Sequence, residues 1–143
     1  MKQEDKKLLL TDLCGRLPYG IKAQIKHYDV ACELLAISTN GTTYATTYGD
    51  MECLIETFVE DCKPYLFPMS SMTDEQREEY WDYYDADLNR SKENLRKWLD
   101  DKVNTIDGAP QYCHIDWLNA HYFDYRNLIP KGLAIDCTNL NIY

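Results

Sequence analysis

The chain has 143 residues, 45% of them hydrophobic and 13% aromatic, and a formal net charge of −9. This length and apolar content suffice for one core, so we expect residues 1–143 to form a single domain. The 24 acidic residues outnumber the 15 basic ones, which opposes direct binding to nucleic acid or to anionic lipid. The sequence contains neither a membrane-spanning apolar run nor the apolar region of a secretory signal, so we expect a cytoplasmic protein without a membrane segment.

A helix is predicted over residues 3–15, because apolar side chains recur there at helical spacing. These side chains are Leu9, Leu10, Leu13, Cys14 and Leu17. Gly15 favours the end of the helix, and Pro18 disfavours a continuation beyond Leu17.

Several strands are predicted between residues 19 and 69. Ile21, Ala23 and Ile25 alternate with polar residues, a period of two that is typical of a strand with one solvated face. The further segments with strand character are residues 30–38, 42–47, 51–59 and 63–69.

Glycine and proline predict how these strands are arranged. Asn40-Gly41 predicts a type I′ hairpin turn, in which both central residues need a positive φ. Pro64 and Pro68 favour an edge position for the last strand, since proline cannot donate a backbone hydrogen bond. We therefore expect a small, curved antiparallel sheet of four to five strands.

The second half of the chain is predicted to be helical. Thr73 and Gln76 match the capping box that begins a helix, and the residues that follow divide into two faces. The acidic face comprises Asp74, Glu75, Glu78, Glu79, Asp82 and Asp85, and the aromatic face, expected to pack on the core, comprises Tyr80, Trp81, Tyr83, Tyr84 and Leu88. Helical character continues or resumes over residues 91–99, with either a continuous helix or an interruption at 86–90. A break is predicted at 107–110 and a third helix over residues 113–125. The result is an α+β fold, in which an N-terminal helix and C-terminal helices pack on the sheet.

The sequence offers little support for catalysis. The six cysteines include no CxxC pair, and we expect free thiols, most of them buried. Cys113, His114 and His121 lie close in sequence, but a helix separates the two histidines by about 10 Å, too far to share one metal ion. No phosphate-binding glycine motif and no nucleophile elbow occur. We therefore expect no cofactor and no metal, and we favour a non-enzymatic protein over a hydrolase of unrecognised site geometry.

The acidic face admits two interpretations. Its six carboxylates extend over about 16 Å of helix axis, within a factor of about two of the charge spacing of duplex DNA. Such a surface suits the basic groove of a nucleic-acid-binding protein, and the chain would then be an inhibitor or regulator. The alternative is a solvated helix face without a specific partner, because amphipathic helices of this kind are ordinary.

Three stretches of the chain resemble a known group of sequences. They are DLCGRLPYGIKAQ (residues 12–24), YLFPMSSMTDEQREEY (65–80) and DWLNAHYFDYRNLIPKGLAIDC (116–137). Their sequences resemble motifs of a family of small uncharacterised proteins, which are encoded by gut anaerobic bacteria and by their phages and mobile elements. The resemblance implies no activity, cofactor or catalytic residue. It implies an accessory protein of a phage or mobile element that acts in the bacterial cytoplasm.

A second candidate interaction surface lies in the last of these stretches. It combines aromatic side chains with an arginine, the composition favoured at binding hot spots. The patch comprises Trp117, Asn119, His121, Tyr122, Asp124, Tyr125 and Arg126, of which Trp117, His121, Tyr125 and Arg126 are the candidate contact residues. The alternative is that Trp117 and Tyr122 pack the helix over residues 113–125 against the sheet, while Asp124 and Arg126 satisfy local backbone groups. We expect the chain to act as a non-enzymatic module that binds a protein partner, through this surface or through the acidic face.

Overall fold

The computed structural model of the protein describes residues 1–47, 50–80 and 112–143. It confirms the α+β fold class, with an N-terminal helix, further helices and an open, mostly antiparallel sheet of six strands. The helices are α1 (Gln3–Arg16), α2 (described over residues 74–80) and α3 (Tyr112–Ala120), and the strands are β1 (Lys22–Ile25), β2 (Ala31–Ile37), β3 (Thr42–Thr47), β4 (Asp50–Phe58), β5 (Cys62–Leu66) and β6 (Ile135–Asp136). The predicted helix over residues 91–99 and the predicted break at 107–110 lie outside the described residues. Within the described ranges, none of the helices is long and apolar enough to cross a membrane.

The strands lie in the order β4-β3-β2-β1-β5-β6, and the described strands pair antiparallel except for the parallel pair of β5 and β6. The prediction of four to five strands missed β6, because its two residues are too few to show a period. β5 is not an edge strand, so the prediction from Pro64 and Pro68 was wrong. β6 pairs only with Tyr65 and Leu66. Pro64 lies outside this pairing, so its lack of a backbone N–H costs no hydrogen bond to β6.

The buried side chains of the sheet follow the predicted alternation. Ile21, Ala23 and Ile25 are buried, whereas Gln24 and Lys26 are exposed. The main core joins these strand residues to α1 and to the C-terminal segment, through Leu9, Leu13, Cys32, Leu34, Ala45, Ile55, Val59, Cys62, Leu66, Leu128, Leu133 and Ala134. A second cluster of buried residues contains Met72, Tyr80, Trp117, Leu118, Phe123 and Tyr125. The two clusters place α1 against the sheet and α2 against α3.

The β2–β3 hairpin forms at Asn40-Gly41 as predicted, but its turn is not type I′. Gly41 has a φ of 90°, whereas Asn40 is not among the residues with a positive φ. Gly41 N donates to Ser38 O at 2.9 Å, and Ser38 N donates to Thr42 O at 2.8 Å. This is the pattern of a three-residue loop that ends in a glycine bulge. The Asn40 side chain accepts a hydrogen bond from Thr42 N at 3.0 Å, which stabilises this alternative turn.

α1 ends at Arg16, and the face that it turns toward the core is largely the predicted one. The buried residues of the helix are Leu9, Asp12, Leu13 and Arg16. Cys14 is exposed and Leu10 is only half-buried. Leu10 and Leu17 pack against the core beside Leu9 and Leu13, so the predicted face is confirmed except at Cys14. The buried stripe also contains a pair of opposite charges that was not predicted, Asp12 and Arg16 at i and i+4.

The predicted helix over residues 113–125 was too long, because α3 ends in a Schellman motif. Tyr122 N donates to Asn119 O at 3.1 Å. Phe123 N donates to Leu118 O at 3.0 Å. These two bonds satisfy carbonyl groups in the last turn of the helix and direct the chain away from the helix axis.

Tyr122 occupies the position at which this motif usually has a glycine. Its φ of 59° lies in the left-handed region that side chains other than glycine rarely adopt. Tertiary contacts hold it there: its ring stacks on the Tyr143 ring with centroids 3.7 Å apart, and its hydroxyl donates to Tyr19 O. The end of α3 is therefore set by residues distant in the sequence.

Candidate interaction site

The predicted capping box forms at the N-terminus of α2. Gln76 N donates to Thr73 Oγ1 at 3.2 Å, and Thr73 N donates to Gln76 Oε1 at 2.9 Å. These reciprocal bonds satisfy two backbone N–H groups that a helix N-terminus otherwise leaves without a partner. The helix therefore begins at a defined residue, and the side chains that follow are held in a fixed arrangement.

α2 carries an exposed row of carboxylates, which we call the acidic face. Its described members, all exposed, are Asp74, Glu75, Glu78 and Glu79. Asp82 and Asp85, also predicted for this face, lie outside the described residues. The backbone N–H of Glu75 and the hydroxyl of Thr73 donate to the Glu75 carboxylate and hold its pKa below the usual value, as expected at the positive end of a helix dipole. This carboxylate therefore remains charged down to a lower pH than an ordinary glutamate.

The opposite side of α2 is anchored in a group of buried rings, the aromatic cluster, formed by Tyr80, Trp117 and Phe123. Tyr80 is 1% exposed, and its ring centroid lies 5.0 Å from that of Trp117, with the planes at 65°. Trp117 in turn stacks on Phe123 at 5.9 Å. The prediction that Tyr80 turns inward while its acidic neighbours stay in solvent is thus confirmed within residues 74–80. The other predicted aromatic residues of this helix, Trp81, Tyr83 and Tyr84, lie outside the described residues.

His121 connects the aromatic cluster to the acidic face. Its ring lies against the Trp117 ring, with centroids 3.9 Å apart and planes at 20°. Its Nδ1 is 2.9 Å from Trp117 O, and its Nε2 is 3.6 Å from Glu79 Oε1. The imidazole therefore bridges the C-terminal turn of α3 and the described part of α2.

A pair of buried ions lies between α1 and the segment that follows α3. Arg16 has no exposed surface, and it donates to both carboxylate oxygens of Asp12, from Nε at 2.7 Å and from Nη2 at 3.2 Å. Nη2 also donates to Phe123 O at 2.7 Å. Nη1 is buried without a hydrogen-bond partner in the described part of the chain. The pair therefore ties α1 to the backbone of a residue whose ring belongs to the aromatic cluster.

Tyr125 and Arg126 extend this pair into a larger group. Two guanidiniums lie over the Tyr125 ring, with Cζ of Arg16 5.3 Å and Cζ of Arg126 5.0 Å from its centroid. Nε of Arg126 is 3.4 Å from Asp12 Oδ1 and 3.3 Å from the Tyr125 hydroxyl. That hydroxyl donates to Asn119 Oδ1 at 3.1 Å, and Asn119 Nδ2 donates to a backbone carbonyl of α1 at 3.2 Å. We call this group the buried ion network; its members are Asp12, Arg16, Asn119, Tyr125 and Arg126.

Asp124 holds the segment between α3 and β6 in place. Its buried carboxylate accepts hydrogen bonds from Leu128 N and Ile129 N, each at 2.8 Å. Burial raises the pKa of Asp124 above its usual value, although these two bonds act in the opposite direction. The backbone of Asp124 also donates to Phe67 O at 2.8 Å, which fastens the segment beside the end of β5.

The structure separates the residues of the predicted C-terminal patch into two neighbourhoods. Trp117 and His121 lie at the aromatic cluster, whereas Tyr125 and Arg126 belong to the buried ion network. Trp117 and Tyr125 are each 5% exposed, so neither presents an aromatic surface to solvent. His121 and Arg126 are half-buried. The acidic face is therefore the more accessible of the two predicted surfaces.

Sequence reasoning missed Asp12, Arg16 and Asn119 as members of one network. A signal was present in α1, because Asp12 and Arg16 share the helix stripe that also carries Leu9 and Leu13. Opposite charges that recur on the apolar stripe of a helix indicate a buried ion pair. Asn119 carried no such signal, because its contacts depend on how α3 packs against α1.

The described cysteines are free, but they are not all buried. Cys32, Cys62 and Cys137 are buried, whereas Cys14 and Cys53 are exposed. Burial raises the pKa of Cys62 to about 12 and that of Cys137 to about 11, and it also raises the pKa of Cys14 and of Cys32. Thiolates are therefore disfavoured at these four positions, which argues against a cysteine nucleophile there. Within the described residues, no three side chains of His, Cys, Asp or Glu are placed to hold a metal ion.

No match was found when the chain was compared with protein-family models, with curated proteins and with solved structures. The function of the site therefore has to follow from its own geometry. That geometry consists of an exposed acidic face, an aromatic cluster that anchors it, and a buried ion network that anchors the cluster.

Tyr80→Ala is expected to destabilise the protein by about 3 kcal/mol, because it empties a buried ring position in the aromatic cluster. Tyr28→Ala is the matched control, since Tyr28 is 39% exposed, and it should cost less than about 1 kcal/mol. Urea denaturation measures both free energies of unfolding. A Tyr80→Ala variant as stable as the control would contradict the anchoring role of Tyr80.

Arg16→Leu is expected to lower the free energy of unfolding by about 3–5 kcal/mol, because it leaves the buried Asp12 carboxylate without its main partner. The double variant Asp12→Leu with Arg16→Leu should be more stable than Arg16→Leu alone, since the uncompensated carboxylate is gone. Lys26→Leu is the control: Lys26 Nζ is 3.7 Å from Asp61 in an exposed pair, and its loss should cost no more than about 0.5 kcal/mol. Denaturant titration of the three variants checks this order, and a double variant less stable than Arg16→Leu would refute it.

Proposed function

We propose that the protein is a non-enzymatic binding module whose acidic face contacts a basic surface of a protein partner. The observation that carries the proposal is the anchoring of α2, in which four carboxylates stay exposed while Tyr80 on the other side is buried. Because this anchoring holds the charges in a fixed arrangement, a complementary partner meets them without first having to order them.

The electrostatics of the acidic face support this proposal. Asp74 and Glu78, like Glu75 and Glu79, are four residues apart on the helix, so their carboxylates repel each other. The protein as a whole carries a net charge of −9, which adds to the local negative potential. A basic partner surface relieves this repulsion on contact, so the acidic face favours a cationic protein over a neutral one.

The biological setting is a further part of the proposal. The stretches 12–24, 65–80 and 116–137, which resemble small proteins of phages and mobile elements, meet in one region of the fold. The buried ion network joins the first stretch to the third, and the aromatic cluster joins the second to the third. This convergence supports treating them as one functional unit, in an accessory protein that acts in the bacterial cytoplasm.

Charge reversal on the acidic face tests the proposal. The immobilised protein captures binding proteins from a bacterial lysate at low and at high salt, and mass spectrometry identifies them. Glu75→Lys with Glu78→Lys should abolish capture. High salt should weaken capture, because salt screens the attraction between exposed charges; the screening length is about 8 Å at physiological ionic strength and shorter at high salt. Glu4→Lys with Asp29→Lys reverses two exposed charges elsewhere and should leave capture unchanged. Capture that survives both high salt and the reversal on α2 would rule out the acidic face as the binding surface.

A second candidate function is that of a regulator that occupies the basic groove of a nucleic-acid-binding protein. The four described carboxylates lie along about 7.5 Å of helix axis, or one charge per about 2 Å. Duplex DNA carries one charge per about 1.7 Å, so the two surfaces present similar charge densities. The acidic face therefore resembles the ligand of such a groove in its electrostatics.

Competition with DNA distinguishes this second candidate from a general basic partner. If the partner uses a nucleic-acid-binding groove, a short DNA duplex should release it from the immobilised protein, because both occupy the same positive surface. The control is a simple salt at an equal concentration of charge, which should release much less of the partner. Retention of the partner at saturating DNA would exclude the regulator function.

A further inference from the structure

β4 is a long strand at the edge of the described sheet, and it lacks two of the usual protections of such an edge, lysine and proline. Among the described strands it lies at one end of the sheet and spans nine residues, Asp50–Phe58, whereas the two-residue strand β6 closes the other end. Exposed edges are normally protected by short length, by lysine or by proline, and the β4 sequence DMECLIETF contains neither of these residues. The irregular pairing with β3 lies near the start of β4, between Thr46 and Thr47, so residues 54–58 form a regular ladder.

The outward hydrogen-bonding groups of β4 follow from its register with β3. Thr42 lies opposite Phe58, and Val59 N donates to Gly41 O at 2.8 Å. This bond makes Thr42 and Phe58 a non-hydrogen-bonded pair, in which the backbone groups of each residue point away from the other strand. Alternation along the ladder turns the same groups outward at three residues of β4, which we call the free edge: Leu54, Glu56 and Phe58. Of these groups, the Phe58 carbonyl accepts a hydrogen bond from Cys62 Sγ at 3.4 Å, so at Phe58 an added strand pairs through the N–H.

The side chains of the free edge form an apolar, acidic, apolar row. Leu54 is 63% exposed and Phe58 is 54% exposed, with the exposed Glu56 between them. Ile55 points to the opposite side of the sheet, is 5% exposed and belongs to the main core. A strand added to the free edge would therefore place its own side chains about 5 Å from this row.

Charge decides which kind of strand fits. If two copies of the chain paired antiparallel through β4, Glu56 would lie opposite a member of the same row or opposite another glutamate. No such register gives Glu56 a basic neighbour, and each copy brings a net charge of −9. A strand with a basic residue between two apolar residues complements the row at all three positions.

We propose that the free edge binds an extended segment of a partner protein by strand addition, with a basic side chain opposite Glu56 and apolar side chains opposite Leu54 and Phe58. Backbone hydrogen bonds to the free edge supply affinity, and the three side-chain pairs supply selectivity. The acidic face lies near the other end of the sheet, where the Phe67 ring after β5 is 6.3 Å from that of Phe123. The two surfaces are therefore separate, and this proposal does not depend on the function of α2.

Two capped peptides test the proposal on the full chain, Thr-Leu-Thr-Lys-Thr-Leu-Thr and the same peptide with Glu in place of Lys. The lysine peptide should bind about tenfold more tightly, because its charge complements Glu56 whereas the glutamate peptide repels it. Binding should also protect the amide protons of Leu54, Glu56 and Phe58 from hydrogen exchange, measured by NMR. The amide proton of Ile55 should already be protected in the unbound protein. Nonspecific attraction of charges would not produce this alternation.

Variants of Glu56 separate the contributions of charge and backbone. Glu56→Lys should reverse the preference, so that the glutamate peptide binds more tightly. Glu56→Pro should abolish binding of both peptides with little change in thermal stability, because it removes an outward N–H that makes no bond within the sheet. Glu75→Lys with Glu78→Lys on the acidic face should leave binding of the lysine peptide unchanged.

Four results would each overturn the proposal. They are absence of binding by the lysine peptide, equal binding of the two peptides, no new protection at the outward amides, and loss of peptide binding on charge reversal in α2. Sedimentation tests whether a second copy of the chain occupies the free edge instead. A dimer of the protein that Glu56→Pro converts to a monomer would show that a second copy, and not a basic segment, occupies the free edge.

Discussion

The guanidinium of Arg16 lies in the interior of the protein, where it bonds to the Asp12 carboxylate and to the backbone carbonyl of Phe123. Two opposite charges are costly to remove from water unless their hydrogen bonds are nearly complete. The Phe123 carbonyl supplies one of these bonds, and the Phe123 ring packs on Trp117 in the aromatic cluster. The position of α1 therefore determines the position of the aromatic cluster, which in turn determines how α2 presents its carboxylates.

α2 owes its stability more to its surroundings than to its own sequence. Two like-charged pairs at i and i+4, Asp74 with Glu78 and Glu75 with Glu79, disfavour an isolated helix. The capping box, which belongs to the helix's own sequence, contributes about 1 kcal/mol. Burial of the Tyr80 ring in the aromatic cluster contributes about 2 kcal/mol, so the tertiary contribution is the larger one. A basic ligand that binds these carboxylates in the folded protein also stabilises the helix that carries them.

Features whose cause is local could be predicted from the sequence, and features whose cause is tertiary could not. The alternation in β1 and the capping box of Thr73 and Gln76 depend on neighbouring residues, as does the division of α2 into an exposed acidic side and a buried aromatic side. By contrast, Tyr122 ends α3 only because distant side chains hold it. Likewise, Asp12 and Arg16 can be buried only where the fold brings acceptors and donors to them. The exposed carboxylates of α2 were therefore predictable within residues 74–80, whereas the burial of Trp117 and Tyr125 and the network that connects the elements were not.

The tyrosine in the left-handed position after α3 has a consequence for the order in which the chain acquires its structure. A glycine would allow the helix to end there on its own, whereas Tyr122 costs about 1–2 kcal/mol in this conformation unless other contacts offset the strain. Those contacts come from Tyr19, just before the sheet, and from Tyr143, which docks beside β1 and β5. The segment from α3 onward can therefore pack stably only after the strands that it contacts have formed. This dependence matches the direction of synthesis, in which strands β1–β5 leave the ribosome before the segment that packs on them and adds β6.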